Sequence, residues 1–136
     1  ERAYDLDLVE KLVIATDTPT GTGVMPLGMI KTVCELSSLA GLRATDALAL
    51  ATGNNAAVLR RPEGILEEGR PADLFCMFAP LGSSCDTPLE AIQFGDIPGI
   101  AAVMVVGEVR ALRSRNTPAP DGECRLIERG SVEADA

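Results

Sequence analysis

One carboxylate closes the apolar run Lys11-Leu12-Val13-Ile14-Ala15-Thr16, and that carboxylate is Asp17. An aspartate at a strand end has two chemical uses. It can ligate a divalent cation, and it can take a proton from a water that attacks a substrate. It can also cap the following turn through its own side chain, as aspartates in Asx-turns do, and the residues leave these uses open. Thr18, Thr20, Gly21, Thr22 and Gly23 follow directly. Such a loop either lines a pocket or serves as an ordinary connection. It is not read as a phosphate cradle, because it lacks the further glycine and the lysine that such loops carry. The 136 residues contain no histidine, so the commonest metal ligand and the commonest general base are both missing. One carboxylate is too few for a catalytic metal, which takes about three protein ligands.

The elements that must position Asp17 follow from periodicity. Residues 1–10 show a weak helical pattern. Residues 11–16 are short, apolar and β-branched, which predicts a buried strand, and an unbroken apolar strand suits a sheet covered on both faces. Apolar residues at Met29, Ile30, Val33, Leu36 and Ala40 predict a helix, stopped at Gly41. A second helix is expected over 45–51 and a third from Asn54, an N-capping residue type. After Arg60-Arg61-Pro62 the pattern changes. Residues 65–66 read as a short strand, 67–71 as a turn and 74–78 as an apolar strand. Thr87-x-x-Glu90 with Pro88 at the first helical position predicts a capping box opening a short helix that Gly95 ends. Residues 100–106 and 109–112 flank Gly107-Glu108, which predicts a type II′ hairpin. From 117 onward the chain is rich in proline, glycine and charge and is expected to be a disordered tail.

Charge and composition narrow the function classes. The net charge of −8, from 12 basic and 20 acidic residues, opposes binding to phosphate backbones, so no nucleic-acid partner is expected. No apolar run approaches the roughly 20 residues of a membrane span, and no leader is visible, so no membrane partner is expected. Four cysteines without a C-x-x-C pair read as reduced thiols in a cytoplasmic protein. Aromatic residues make up only 3%, so the core must be aliphatic.

The ordered motifs carry a resemblance. Ile14-Ala15-Thr16-Asp17-Thr18 resembles the end of the eighth barrel strand of the metal-dependent amidohydrolase superfamily. Asp46-Ala47-Leu48 and Ala51-Thr52-Gly53-Asn54 resemble its helix pair after the barrel. Gly69-Arg70-Pro71-Ala72-Asp73-Leu74 resembles its return into a small β-sandwich. Within the superfamily the likeness is to cyclic-amide hydrolases, carried by Thr16 to Val24, Pro80-Leu81-Gly82-Ser83, Gly95-Asp96-Ile97-Pro98-Gly99-Ile100 and Ser114-Arg115-Asn116-Thr117-Pro118. It covers about residues 12–118. Asn54-Asn55 departs from the family's frequent Asn-Pro, and Arg43-Ala44 from its frequent Thr-Pro.

The resemblance implies an α/β fold: the last βα unit of a (β/α)8 barrel within 1–62, the C-terminal strands of a small β-sandwich domain within 63–116, and a tail over 117–136. This is an incomplete fold. It implies that Asp17 ligates a divalent metal, zinc or iron, in the intact enzyme and accepts the proton of the attacking water. Thr18, Thr20, Gly21, Thr22 and Gly23 would bind the substrate, a small cyclic amide. The family's histidine ligands lie upstream of this aspartate and have no counterpart here, so the chain alone is expected to hold no metal and to be inactive. It would need the missing N-terminal barrel segment. The alternative is a non-catalytic module, or a subunit completing a barrel supplied by another chain. Leu12 to Ile14 and Leu74 to Phe78 would normally pair with missing strands, so exposed apolar surface and homo-oligomers or aggregation are expected. Asp73 is a structural landmark, Arg113, Ser114, Arg115 and Asn116 a solvated strand end, Glu67 and Glu68 a solvated turn, and Cys34 a packing residue.

Overall fold

Helix α2 (Gly28–Ser38) buries Gly28, Val33, Cys34 and Ser37; of the stripe read from its period only Val33 is fully buried, Met29, Ile30 and Leu36 are half-buried, and Ala40 lies beyond the helix and is exposed. Beyond it the chain reverses at Gly41, whose φ of +70° suits a residue without Cβ, and the Leu42 amide returns to the Leu36 carbonyl at 3.2 Å. The computed structural model describes residues 2–18, 23 and 25–127. Before α2 come a short helix α1 (Arg2–Asp5) and a 3₁₀ turn (Val9–Lys11); after it come α3 (Ala44–Ala51) and α4 (Gly53–Leu59). Strand β1 (Leu74–Phe78), helix α5 (Pro88–Phe94) and strands β2 (Gly99–Val105) and β3 (Glu108–Leu112) complete the order.

The three strands form one antiparallel sheet in the order β1-β2-β3. β1 pairs with β2 from Leu74↔Met104 to Phe78↔Gly99, and β2 with β3 from Ala102↔Leu112 to Val105↔Glu108. Ala101 is the extra residue of one irregularity and Arg110 of the other. The core belongs to the helices. Val33 and Cys34 of α2, Ala44, Ala47 and Leu50 of α3, Leu42 between them and Ile92 of α5 form one buried aliphatic cluster. α5 is locally determined. Thr87 accepts from the Glu90 amide at 3.2 Å, Glu90 accepts from the Thr87 amide at 3.1 Å, Pro88 opens the first turn and Gly95 ends it at φ +90°. The Gln93 side chain then joins α5 to the loop after α2, donating to the carbonyls of Ser37 (3.0 Å) and Leu42 (3.2 Å) and accepting from the Ala44 amide (3.2 Å).

Several expectations need correction. Residues 12–16 are extended but lie in no strand, because no neighbouring strand among the described residues presents a ladder to them. Residues 65–66 are likewise irregular. Asn54 does not cap α4; it sits inside the helix, and Thr52 holds the N-cap position without a side-chain bond. The hairpin turn is Val106-Gly107, not Gly107-Glu108. Both residues have positive φ (+51° and +77°), which makes the turn type I′ and not II′. A β-branched residue in that region is costly, and Asp73 holds it there by accepting from the Val106 amide, while Gly107 donates to the Ala72 carbonyl. Asp73 is thus a structural residue, as expected. Within the expected tail, residues 117–121 are ordered. Thr117 accepts from the Ile100 amide, and Pro80 and Pro120 form an antiparallel bridge. Residues 128–136 lie outside those described.

Candidate functional site

Segment 12–16 is held by side chains where a strand would supply backbone. Asn55 donates from Nδ2 to the Ile14 carbonyl at 2.8 Å and to the Leu50 carbonyl at 3.1 Å. Asn54 donates to the carbonyls of Leu12 (2.8 Å) and Val9 (3.1 Å). The Ile14 amide reaches the Leu50 carbonyl at 3.3 Å. The helix pair α3–α4 therefore grips the segment that delivers Asp17. Sequence reasoning missed this. Asn55 stands where the family often has proline, a residue with no donor at all, and that departure was the available signal.

At the end of this segment Thr16 packs against the first turn of α2. A Cβ added to Gly28 would lie 3.2 Å from the Thr16 γ-methyl. The Thr16 hydroxyl accepts weakly from the Thr18 amide at 3.4 Å. Asp17 stands between them with φ +50°, a left-handed conformation that aspartate and asparagine adopt more readily than other side chains. Its side chain is exposed, as is Thr18. Gly23 has φ +74° and open space where a Cβ would point. Thr20, Gly21 and Thr22 lie outside the described residues.

Beside this segment an open cleft of about 590 Å³ runs between the helices and the sheet, walled by Leu27, Gly28, Ile30, Val33, Phe75 and Val103. Thr52, Ser114 and Asn116 edge it, and among the described residues no charged side chain lines it. Such a surface packs apolar matter and offers no general base. Among the described residues no three His, Cys, Asp or Glu side chains are grouped to hold a metal. Asp17 offers one carboxylate, so these residues by themselves do not fit a catalytic metal centre.

Other titrating groups serve the fold. Asp46 accepts from the Tyr4 hydroxyl at 2.5 Å and from Arg43 at 2.8 Å, and these bonds, the tyrosine's first, hold its carboxyl below the usual range. The contact ties α1 to α3. Cys34 is buried and donates to the Asp96 carbonyl at 3.4 Å. Burial, with Asp96 and Glu35 nearby, pushes its thiol up to about 11, which fits a packing role. Glu67 pairs with Arg70 at 2.6 Å on the surface.

A solved member of the amidohydrolase superfamily matches the fold of this chain. Its structure matches 93% of this chain and 33% of its own, with a TM-score of 0.89 and 36% sequence identity. That member is enamidase. The enamidase of Eubacterium barkeri is 38% identical over 126 residues, 93% of this chain. The chain spans about a third of the length of this curated relative. No family model matches the chain. Among the described residues no helix is long and apolar enough to cross a membrane.

Proposed function

We propose that this chain supplies the end of the eighth barrel strand and part of the small β domain to a metal-dependent hydrolase that cleaves a carbon–nitrogen bond of a cyclic amide. The observation that carries this reading is the 38% identity to enamidase over 126 of 136 residues. A continuous match of that length includes Asp17 wherever it begins. Asp17 is read as one ligand of a divalent zinc or iron ion and as the acceptor of a proton during the attack of water. Thr18, Thr20, Gly21, Thr22 and Gly23 are read as the wall of the substrate pocket. Residues 1–62 are assigned to the barrel and 63–116 to the small domain. The remaining metal ligands would come from protein outside these residues, whether from the same polypeptide or from a partner chain that completes the barrel. Four free cysteines agree with a reducing, cytoplasmic setting.

The test is Asp17→Asn in the protein that carries the histidine ligands, whether one polypeptide or a co-expressed pair. Asparagine tolerates the positive φ, so the fold should survive. Cyclic-amide hydrolysis should fall by about 10³-fold or more, with bound metal reduced. Activity within about tenfold of the parent protein, with metal retained, would remove Asp17 from the site.

A further inference from the structure

Beyond the asparagine clamp the extended segment meets α2. The clamp ends at Ile14, whose carbonyl accepts from Asn55 at 2.8 Å and whose amide reaches the Leu50 carbonyl at 3.3 Å. Two residues on, the Thr16 γ-methyl lies over the place where Gly28 has no side chain. A Cβ there would stand 3.2 Å from that methyl carbon, inside the roughly 3.5–4.0 Å at which carbons pack. The next nearest atoms, Sδ and Cβ of Met25, would be in ordinary contact at 3.4 and 3.5 Å. The φ of Gly28 is not positive, so its backbone does not itself call for glycine, and alanine is the better helix former. What the missing Cβ accommodates is Thr16.

Of the two partners the helix is the firm one. Gly28 is buried, its amide donates to the Met25 carbonyl at 3.1 Å, and its carbonyl accepts from the Thr32 hydroxyl at 3.0 Å. Further along α2, Val33 and Cys34 sit in the core cluster. Thr16 is only half-buried, and residues 12–16 lie beside no strand among the described residues. Crowding at Gly28 therefore displaces Thr16. Turning its side chain would take the hydroxyl away from the Thr18 amide, a contact that spans Asp17. Shifting its backbone would move the residue directly before Asp17, whose φ is already the left-handed +50°. By either route the disturbance reaches Asp17.

We propose that Gly28 is a positioning residue for Asp17: its empty side-chain position seats the Thr16 methyl, and that seat sets where the Asp17 carboxylate stands. This rests on the reading of Asp17 as a metal ligand and proton acceptor. Gly28 has no group of its own to offer the chemistry and acts through Thr16 alone. A carboxylate that must meet a cation and a reacting water tolerates little misplacement, so a small displacement lowers turnover while the fold stays intact.

The test introduces Gly28→Ala into two backgrounds, the parent and Thr16→Ser, in the protein that carries the histidine ligands. Serine keeps the hydroxyl and removes the methyl. In the parent background kcat for cyclic-amide hydrolysis should fall about tenfold. The melting temperature of the metal-free protein should hold or rise, because alanine restricts the unfolded chain and favours the helix. In the Thr16→Ser background the same change should lower kcat by less than about twofold. Three results would overturn the assignment: a tenfold loss in both backgrounds, a loss that follows a lowered melting temperature, or turnover unchanged by Gly28→Ala. Asp17→Asn, measured alongside, separates this proposal from the one beneath it. If Asp17→Asn abolishes turnover and Gly28→Ala leaves it unchanged, the seat alone fails. If Asp17→Asn leaves turnover intact, the hydrolase reading of Asp17 fails and the role of Gly28 falls with it.

Discussion

Two runs of the chain, 12–16 and 74–78, carry the same signal and end differently. Both are short, apolar and bounded by turn residues, and both are read as apolar strands, the first of them buried. Leu74–Phe78 pairs with β2 along its whole length, from Leu74↔Met104 to Phe78↔Gly99. Residues 12–16 have no strand beside them among the described residues and are held by two asparagine amides. Each run keeps a large side chain in solvent, Val13 in one and Phe75 in the other, both 42% exposed. A strand is thus a relation between segments. Apolar, β-branched composition makes a segment suitable for a ladder without providing the ladder.

Proline distinguishes the two runs most sharply. Ala102→Pro in the central strand removes a ladder donor and places a ring between two partners, and should cost about 3 kcal/mol in denaturant unfolding. Val13→Pro should cost less than about 1 kcal/mol, since the Val13 amide makes no bond among the described residues. Equal losses at both sites would show that 12–16 is laddered after all.

A smaller effect tests the asparagine clamp. Asn55→Ala leaves the carbonyls of Ile14 and Leu50 without their side-chain donor, and should cost about 1 kcal/mol. It should also speed hydrogen exchange at the Ile14 amide. In the protein that carries the proposed metal centre, the same change should weaken activity by loosening Asp17, with Asp17 itself intact.

The hairpin is expected to respond in the opposite direction. Val106→Asn places a residue tolerant of positive φ before Gly107, and should raise stability by about 1 kcal/mol by chemical denaturation. No gain would mean that Asp73 and the strand ends already determine the turn whatever residue stands there.

The smallest effects are those of pH. The Cys34 thiol is raised in the folded protein, so its contribution is fully present below the ordinary thiol value and is lost as pH rises towards about 11. Cys34→Ala should flatten that alkaline slope. Asp46 is lowered, so its contribution is present above the ordinary carboxylate value and is lost as pH falls through the depressed one. Tyr4→Phe, which removes the larger cause, should weaken the acid slope.

Where the determinants are close in sequence, the local structure was legible in advance. Thr87, Pro88, Glu90 and Gly95 lie within nine residues and settle the ends of α5 among themselves. The apolar period of α2 and its reversal at Gly41 were legible for the same reason, as was the run of motifs that suggested an amidohydrolase. The positions of Asp17 and Asp73 beside strand-like runs could also be read directly, because each needs only its own segment.

What tertiary structure decided involves partners far apart in the chain. The clamp on 12–16 comes from Asn54 and Asn55, some forty residues away, and no local pattern separates a clamping asparagine from a capping one. The hairpin turn fell one residue earlier than its glycine suggested because Asp73, 33 residues upstream, bonds the Val106 amide. The ordering of 117–121 rests on the bond from the Ile100 amide to Thr117 and on the Pro80–Pro120 bridge, whose partners lie 17 and 40 residues upstream. Local preferences act over one or two turns, whereas hydrogen-bond partners and strand neighbours are supplied by whatever the fold brings alongside.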